Sequence, residues 1–586
     1  MSSARPRHRV TPVRRLPLAG ALRLNRPSDI WFKPALSVVV AVGVPNLTLL
    51  ALGRLDLALY SMAGSLCALY AHNLPYAARG RALARVVLGM LASVAIALVT
   101  ASLTSSAVVL VAVGALLAAA HKAVTDLTRI GPPGPVIFTF ISSASLFAPQ
   151  TLGQVPGHLA LAAAAGAWAW FVGMAPGLVR PHGPERRATA RALNAAAGYV
   201  DAYAAVFPAG ERGERGERGE ASGPGHERAR AAAAAAVHAA WQSLLAAGAR
   251  PGPRRALERL VVRAEVALAA PADTDPARLR TWARDLRGTH PVPRPEPGRD
   301  ADELLGVEVE LLAAGPAAGK SGKRRWTEGL GPLLPLALRT ALGCALAGYV
   351  SLALGVGRPY WALVTAASLY QANLTLTWSR GVQRVVGNLV GVLLFAAVAP
   401  LAHLGPAALV LCCLAFNFGA EALITRNYWL GSVCVTPMAL LISEFTGFQE
   451  PGGLITDRVV DTLVGAVVGF VAAVAVTNRR AGDRIEDALD TVERAREHAA
   501  RLIAAERPGS GPGSGPGPGP GALEAARRRL AAALVELRAT TDAASGEWWQ
   551  RALPQERVML AEQAGHRTLA ATVRRQGPHV LEDAEA

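Results

Sequence analysis

The sequence predicts an all-α polytopic membrane protein with two six-helix transmembrane halves, each readable as a 3+3 inverted repeat, plus a helical cytoplasmic domain. Three observations predict this. Twelve apolar runs fall into two groups of six. Basic residues crowd alternate loops between those runs. An aromatic pair and an eight-residue signature occur twice in the second group.

Composition agrees. The 586 residues are 52% hydrophobic yet carry a formal charge of +17, a pairing that is uncommon in soluble proteins. A basic balance also suits nucleic-acid binding, but no nucleic-acid motif is present, and the charge lies beside apolar runs and in Ala/Arg-rich stretches. The preference for Arg over Lys, with excess Ala, Gly and Pro, looks like GC-rich coding bias. Cys67, Cys344, Cys412, Cys413 and Cys434 all lie in apolar runs without metal-ligand spacing, so they read as small buried residues.

Residues 1–34 read as a basic cytoplasmic tail, because no small-residue cleavage site follows a short apolar core. The first half, 35–179, has candidate spans near 35–53, 57–72, 83–101, 104–120, 135–152 and 158–179. Residues 180–330 follow as a cytoplasmic helical domain, with helices near 185–206, 226–248 and 252–270 and an ERGERGERGE loop. The second half, 331–477, has spans near 333–355, 360–377, 385–402, 405–424, 428–445 and 459–477. A cytoplasmic tail, 478–586, holds helices near 482–506, 522–542 and 553–575 around a Gly/Pro/Ser linker at 508–521. It is expected to pack on the 180–330 domain. With the N-terminus inside, the short inner loops hold Arg79, Arg81, Arg85, Lys122, Arg129, Arg380, Arg384 and Arg426, and the outer ones only Arg54, Arg358 and Arg458. Trp31, Trp326, Trp378 and Trp429 fall near the expected interfaces.

Tyr360-Trp361 precedes Arg384-Val-Val-Gly-Asn-Leu-Val-Gly391, and Tyr428-Trp429 precedes Arg458-Val-Val-Asp-Thr-Leu-Val-Gly465. Six of the eight signature residues are identical. The topology makes the two three-helix units inverted copies, a recurrent transporter architecture. The first half echoes the pattern weakly, with Arg79-Gly80 and Arg85-Val-Val. The fifth span of the first half follows Gly131-Pro-Pro-Gly-Pro135, and the fifth of the second contains Pro437. Interrupted helices at matching positions mark binding sites in such folds.

Ionisable groups in a bilayer are costly and tend to be functional. Arg384 and Arg458 are expected near helix N-termini, where a guanidinium and the helix dipole together suit a carboxylate. For each arginine, topological anchoring is the competing reading. Asp461, one turn after Arg458, could pair with it or carry a proton; Glu421 and Arg426 form a similar set. The small-xxx-small pairs Gly387/Gly391 and Gly465/Gly469 read as close helix contacts. Gly315-Pro-Ala-Ala-Gly-Lys-Ser321 resembles a phosphate loop but has three residues between its glycines where four are needed. No hydrolase motif or metal cluster appears, so no enzyme and no cofactor are expected.

Arg358-Pro-Tyr-Trp-Ala-Leu-Val-Thr, Ser379-Arg-Gly-Val-Gln-Arg-Val-Val-Gly387 with its continuation, Asn427-Tyr-Trp429 and Asp457-Arg-Val-Val-Asp-Thr-Leu-Val-Gly465 resemble the fusaric-acid-resistance-like, or aromatic acid exporter, superfamily. The close resemblance covers about 335–477; Gly387-Asn388 stands where the family usually shows Gly-Thr. It implies a bacterial inner-membrane exporter of aromatic carboxylic acids or similar small organic anions, proton-coupled, with both termini cytoplasmic. A passive anion channel, which plant malate-permeable channels resemble, and a non-transporting scaffold are the alternatives. The candidate substrate contacts are Tyr360, Trp361, Gln371, Asn373, Arg384, Asn388, Tyr428, Trp429 and Arg458, with aromatics stacking on a ring and arginine holding its carboxylate. Asp461 and Glu421 are the proton-coupling candidates. The expected partners are the lipid bilayer and a small organic anion, not nucleic acid; self-association into a homo-oligomer is left open by the sequence.

Overall fold

The structure, a computed structural model, describes residues 20–24, 31–128, 130–207, 224–247, 253–269, 271–288, 290–293, 334–371, 373–476, 481–505, 522–546 and 553–576. The ERGERGERGE run, the phosphate-loop look-alike, Arg129, Trp326 and the 508–521 linker lie outside the described residues. Among the described residues there is no strand.

The first membrane half comprises α1 (Phe32–Ala51), α2 (Ala58–Ser65), α3 (Tyr76–Leu103), α4 (Ala107–Thr128), α5 (Val136–Leu146) and α6 (Val155–Met174). Polar helices follow: α7 (Gly183–Val206), α8 (Pro224–Ala246), α9 (Pro253–Ala269) and α10 (Pro276–Arg287). The second half is α11 (Leu334–Ala353), α12 (Tyr360–Leu369), α13 (Leu374–Ala402), α14 (Pro406–Ile424), α15 (Tyr428–Ser443) and α16 (Pro451–Ala475). The tail holds α17 (Ala481–Ala505), α18 (Ala522–Ser545) and α19 (Gln555–Gln576).

Among the described residues, eight helices are long and apolar enough to cross a membrane. The other four expected spans are shorter: Leu55–Leu69, Val136–Leu146, Tyr360–Leu369 and Tyr428–Ser443. They are the second and fifth of each half. A ten-residue helix such as α12 is about 15 Å long, half of a hydrocarbon core of about 30 Å. The span expected at 360–377 breaks because Tyr370 leaves helical geometry and the Asn373 side chain accepts from Leu376 N at 2.8 Å, starting α13. The polar patch Gln371–Thr377 is thus a helix start. The observed helix starts, Leu374 and Pro451, correct a second expectation. Arg384 lies well inside α13 and Arg458 about two turns into α16, beyond the first turn where the dipole acts.

Burial sorts the helices into two layers. Every residue of α12 is buried, as are most of α2, α5 and α15. The long helices surround them and expose apolar stripes, for example Leu338, Leu342 and Leu346 on α11. In water such a stripe would be unfavourable; in lipid it is the expected outer face.

The two signatures exchange partners. A side-chain carbon at Gly391 of α13 would lie 2.9 Å from the Val433 carbonyl oxygen of α15, and one at Gly465 of α16 would lie 2.5 Å from the Ala362 carbonyl oxygen of α12. Each signature helix therefore packs on the Tyr-Trp helix of the other copy. The first half repeats the scheme, with α6 on α2 and α3 on α5. The halves meet where α4 packs on α11, α1 on α14 and α5 on α12.

The polar helices form two cores, one of α7–α10 around Leu193, Trp241 and Leu260, and one of α17–α19 around Val492, Leu530 and Leu537. Helix α10 escaped the sequence reading although Asp275 caps it, accepting from Ala277 N at 2.8 Å, and Pro276 follows. Buried Arg527 of α18 joins the two cores. It pairs with Glu265 of α9 and with Glu524, and its guanidinium lies 5.5 Å from the Trp241 ring centroid. Burial pulls its pKa down to about 9, so it remains cationic at neutral pH. Removing one partner of a buried pair costs about 3–5 kcal/mol. Arg527→Ala is accordingly expected to lower the melting temperature of the purified protein and expose α18 and α19 to protease. A melt within about 1 kcal/mol of wild type would show that the pair does not hold the cores together.

Candidate functional site

The four short helices surround a cavity of about 1230 Å³ between the two halves. Its lining runs from Arg484 of α17 and Ala543 of α18 inward to Trp361 and Arg458. Lys122, Arg339, Arg380, Arg384, Arg458 and Arg484 line it, against the carboxylates Asp126 and Glu421. Lys122 and Asp126 satisfy each other at 3.0 Å, one turn apart on α4.

The chemistry concentrates where the repeat copies cross. The Arg458 guanidinium lies 4.0 Å from the Trp361 ring centroid, stacked as a cation on an aromatic face. Its Nε donates to Asn388 Oδ1 at 3.1 Å. Its Nη1 is buried with no hydrogen-bond partner. Arg384 donates from Nη1 to the Tyr428 hydroxyl at 3.0 Å, and its Nε is also buried and unpartnered. Arg380 covers the Tyr428 ring at 3.8 Å. The exchange seen in the glycines holds here as well: the arginine of each signature meets the aromatic pair of the other copy. Among the described residues neither Arg384 nor Arg458 makes an ion pair within 4 Å. Two buried cations with idle donors favour an anion in the cavity, since a desolvated charge gains most from a charge-assisted hydrogen bond.

Of the residues singled out in the sequence, Trp361, Gln371, Arg384, Tyr428, Arg458 and Glu421 line the cavity. The other five are not among its lining. Tyr360 stacks beside Trp361, ring centroids 4.9 Å apart, and against Phe147 at 5.6 Å. Asn373 caps α13. Trp429 donates from Nε1 to Leu22 O at 3.3 Å, pinning the N-terminal segment to α15. Asn388 sits behind Arg458, and Asp461 is fully buried with Oδ1 bonded to Ser351 and Oδ2 unpartnered. Arg426 is exposed on the turn after α14 and does not line the cavity. Sequence reasoning missed Arg339, which donates to Gln371 O at 3.2 Å and lies 5.3 Å from the Tyr370 ring centroid. The available signal was an arginine inside an apolar run.

Residues 345–472 match the family model described as fusaric acid resistance protein-like. A 165-residue stretch is 30% identical to an uncharacterized membrane protein, YvaC, of Bacillus subtilis (strain 168), covering 28% of this chain. The match spans 26% of that relative, about a quarter of its length. No solved structure matches. The matched region runs from the middle of α11 to near the end of α16 and so contains both signatures and the arginine pair. The chain is a multi-pass membrane protein whose second half is similar, over residues 345–472, to the fusaric acid resistance protein-like family.

Proposed function

We propose that the protein exports small organic anions, aromatic carboxylates foremost, across a bacterial inner membrane. Both termini and the cavity mouth then face the cytoplasm, and the export is coupled to protons. The observation that carries this reading is the pair of buried arginines, Arg384 and Arg458, with unpartnered donors beside Tyr428 and Trp361. A carboxylate takes those donors. An attached ring rests on the apolar wall of Phe140, Val364 and Met438, which also line the cavity. Basic residues on the mouth side agree with a cytoplasmic face.

Asp461 is the proposed proton carrier. It is buried, keeps one oxygen unpartnered and lies one turn from Arg458. Glu421, on the cavity wall, is the second such group. Uptake of benzoate and salicylate into inside-out vesicles, with and without an imposed proton gradient, tests the reading. Gradient-dependent accumulation is expected in wild type, and its loss with retained downhill flux in Asp461→Asn. Flux that ignores the gradient in wild type would replace the exporter by a passive anion pathway. Accumulation that survives Asp461→Asn unchanged would remove Asp461 from the coupling.

A further inference from the structure

The two signature copies align Gly387-Asn388 with Asp461-Thr462. Both second residues make the same local bond. Asn388 Nδ2 donates to Arg384 O at 2.8 Å, and Thr462 Oγ1 donates to Arg458 O at 2.7 Å, each four residues back in its own helix. Threonine has no second group to offer beyond that hydroxyl. Asparagine does, and its Oδ1 crosses to the other copy, accepting from Arg458 Nε at 3.1 Å and lying 2.7 Å from Thr436 Oγ1, whose one proton it shares with Ser432 O at 2.9 Å. One buried side chain thus ties α13 to the guanidinium of α16 and to α15 one residue before Pro437.

The consequence is an asymmetry between two otherwise related arginines. Arg458 has its Nε fixed by Asn388 and its face fixed on Trp361, and its buried Nη1 has no partner among the described residues. Among the described residues Thr462 gives Arg384 no equivalent brace: its hydroxyl donates to Arg458 O within α16, and Arg384 instead donates from Nη1 to the Tyr428 hydroxyl. We propose that Asn388 is a positioning residue that breaks the repeat symmetry and makes Arg458 the fixed holder of the anion, without itself touching the substrate. This inference rests on the anion-transport reading of the cavity.

Two substitutions separate the roles. Asn388→Thr makes the copies alike at that position, keeping the local bond and removing the crossing one. Asn388→Asp is isosteric and sets a carboxylate on Arg458 Nε, where it competes with the substrate. In benzoate uptake by inside-out vesicles, Asn388→Thr is expected to raise KM about tenfold, the scale of one hydrogen bond to a charged group, with maximal flux little changed. Asn388→Asp is expected to raise KM further. An unchanged KM in both, alongside loss of saturable uptake in Arg458→Gln, would overturn the positioning role and leave the anion site standing. Normal uptake in all three variants would overturn both. If the wild type moves no benzoate, the rate of phenylglyoxal labelling of Arg458, read peptide by peptide in the purified protein, replaces uptake. Faster labelling in Asn388→Thr than in wild type supports the brace, and equal labelling rejects it.

Discussion

Arg458→Gln is expected to cut kcat/KM for benzoate by about 100-fold, the scale of removing one member of a desolvated charge pair, while leaving the protein as stable as wild type or more so. The two halves of this expectation come from one fact. Arg458 is 1% exposed, and among the described residues no carboxylate lies within ion-pair distance of it. Its desolvation is therefore a standing cost in the empty protein, offset in part by the Trp361 face and by Asn388. Glutamine removes the cost together with the charge. A structural arginine would behave in the opposite way, since its loss lowers stability first and function second. Arg458→Lys separates charge from shape. It keeps the cation but loses the planar edge, the stack and the Nε donor, so an intermediate loss is expected. The measurement is paired: a thermal melt and vesicle uptake on the same preparations. A melting temperature that falls in step with uptake would make Arg458 a packing residue.

The limits of the sequence show clearly at α12. An apolar run reports only that side chains avoid water, and burial inside protein satisfies that as well as lipid does. Tyr360–Leu369 is all buried, yet its composition matches a spanning helix. The break was visible only as a polar patch, and which residue of Gln371, Asn373 or Thr377 would cap the next helix depended on backbone geometry. Moving that start from 385 to 374 carried Arg384 from a helix end into a helix middle, and with it the dipole argument failed. The arginine is a candidate for a different reason: it lines the cavity and its buried Nε has no partner among the described residues. The sequence singles out Asn388 as a substrate contact and Asp461 as a proton carrier; in the structure both are buried and neither lines the cavity. That Asn388 meets the Arg458 Nε, while Asp461 meets Ser351, needed the contacts between the copies and with α11. The exchange itself was half legible. The duplicated Arg, Tyr-Trp and glycines were plain in the sequence, but not that each signature faces the other copy's aromatic pair.

That exchange yields the second large effect. Gly465→Leu is expected to abolish assembly of the membrane body, and Gly391→Leu to do the same. At Gly465 the first side-chain carbon would already sit 2.5 Å from the Ala362 carbonyl oxygen and 2.7 Å from the Thr365 Cβ. At Gly391 it would sit 2.7 Å from the Thr436 Cβ and 2.9 Å from the Val433 carbonyl oxygen. Backbone on the facing helix cannot swing aside as a flexible side chain can, so α12 and α16, or α13 and α15, must move apart. Overpacking by a single methylene costs about 1–3 kcal/mol, and leucine adds four carbons against a helix backbone. Separation would also disturb Arg458 on Trp361 and Arg384 on Tyr428, because the same helix pairs carry them. Gly381 is the control, since a carbon there would meet only the Leu369 Cδ2 at 3.9 Å. Gly381→Ala is expected to be neutral or to stabilise by about 0.5–1 kcal/mol through helix propensity. Monodispersity in detergent and the thermal melt report all three. Equal loss at Gly391 and Gly465 with none at Gly381 is the outcome an inverted repeat demands, because the two glycines make the same contact twice. Loss at one glycine with tolerance at the other would mean that the two crossings, alike in sequence, do not support the fold alike.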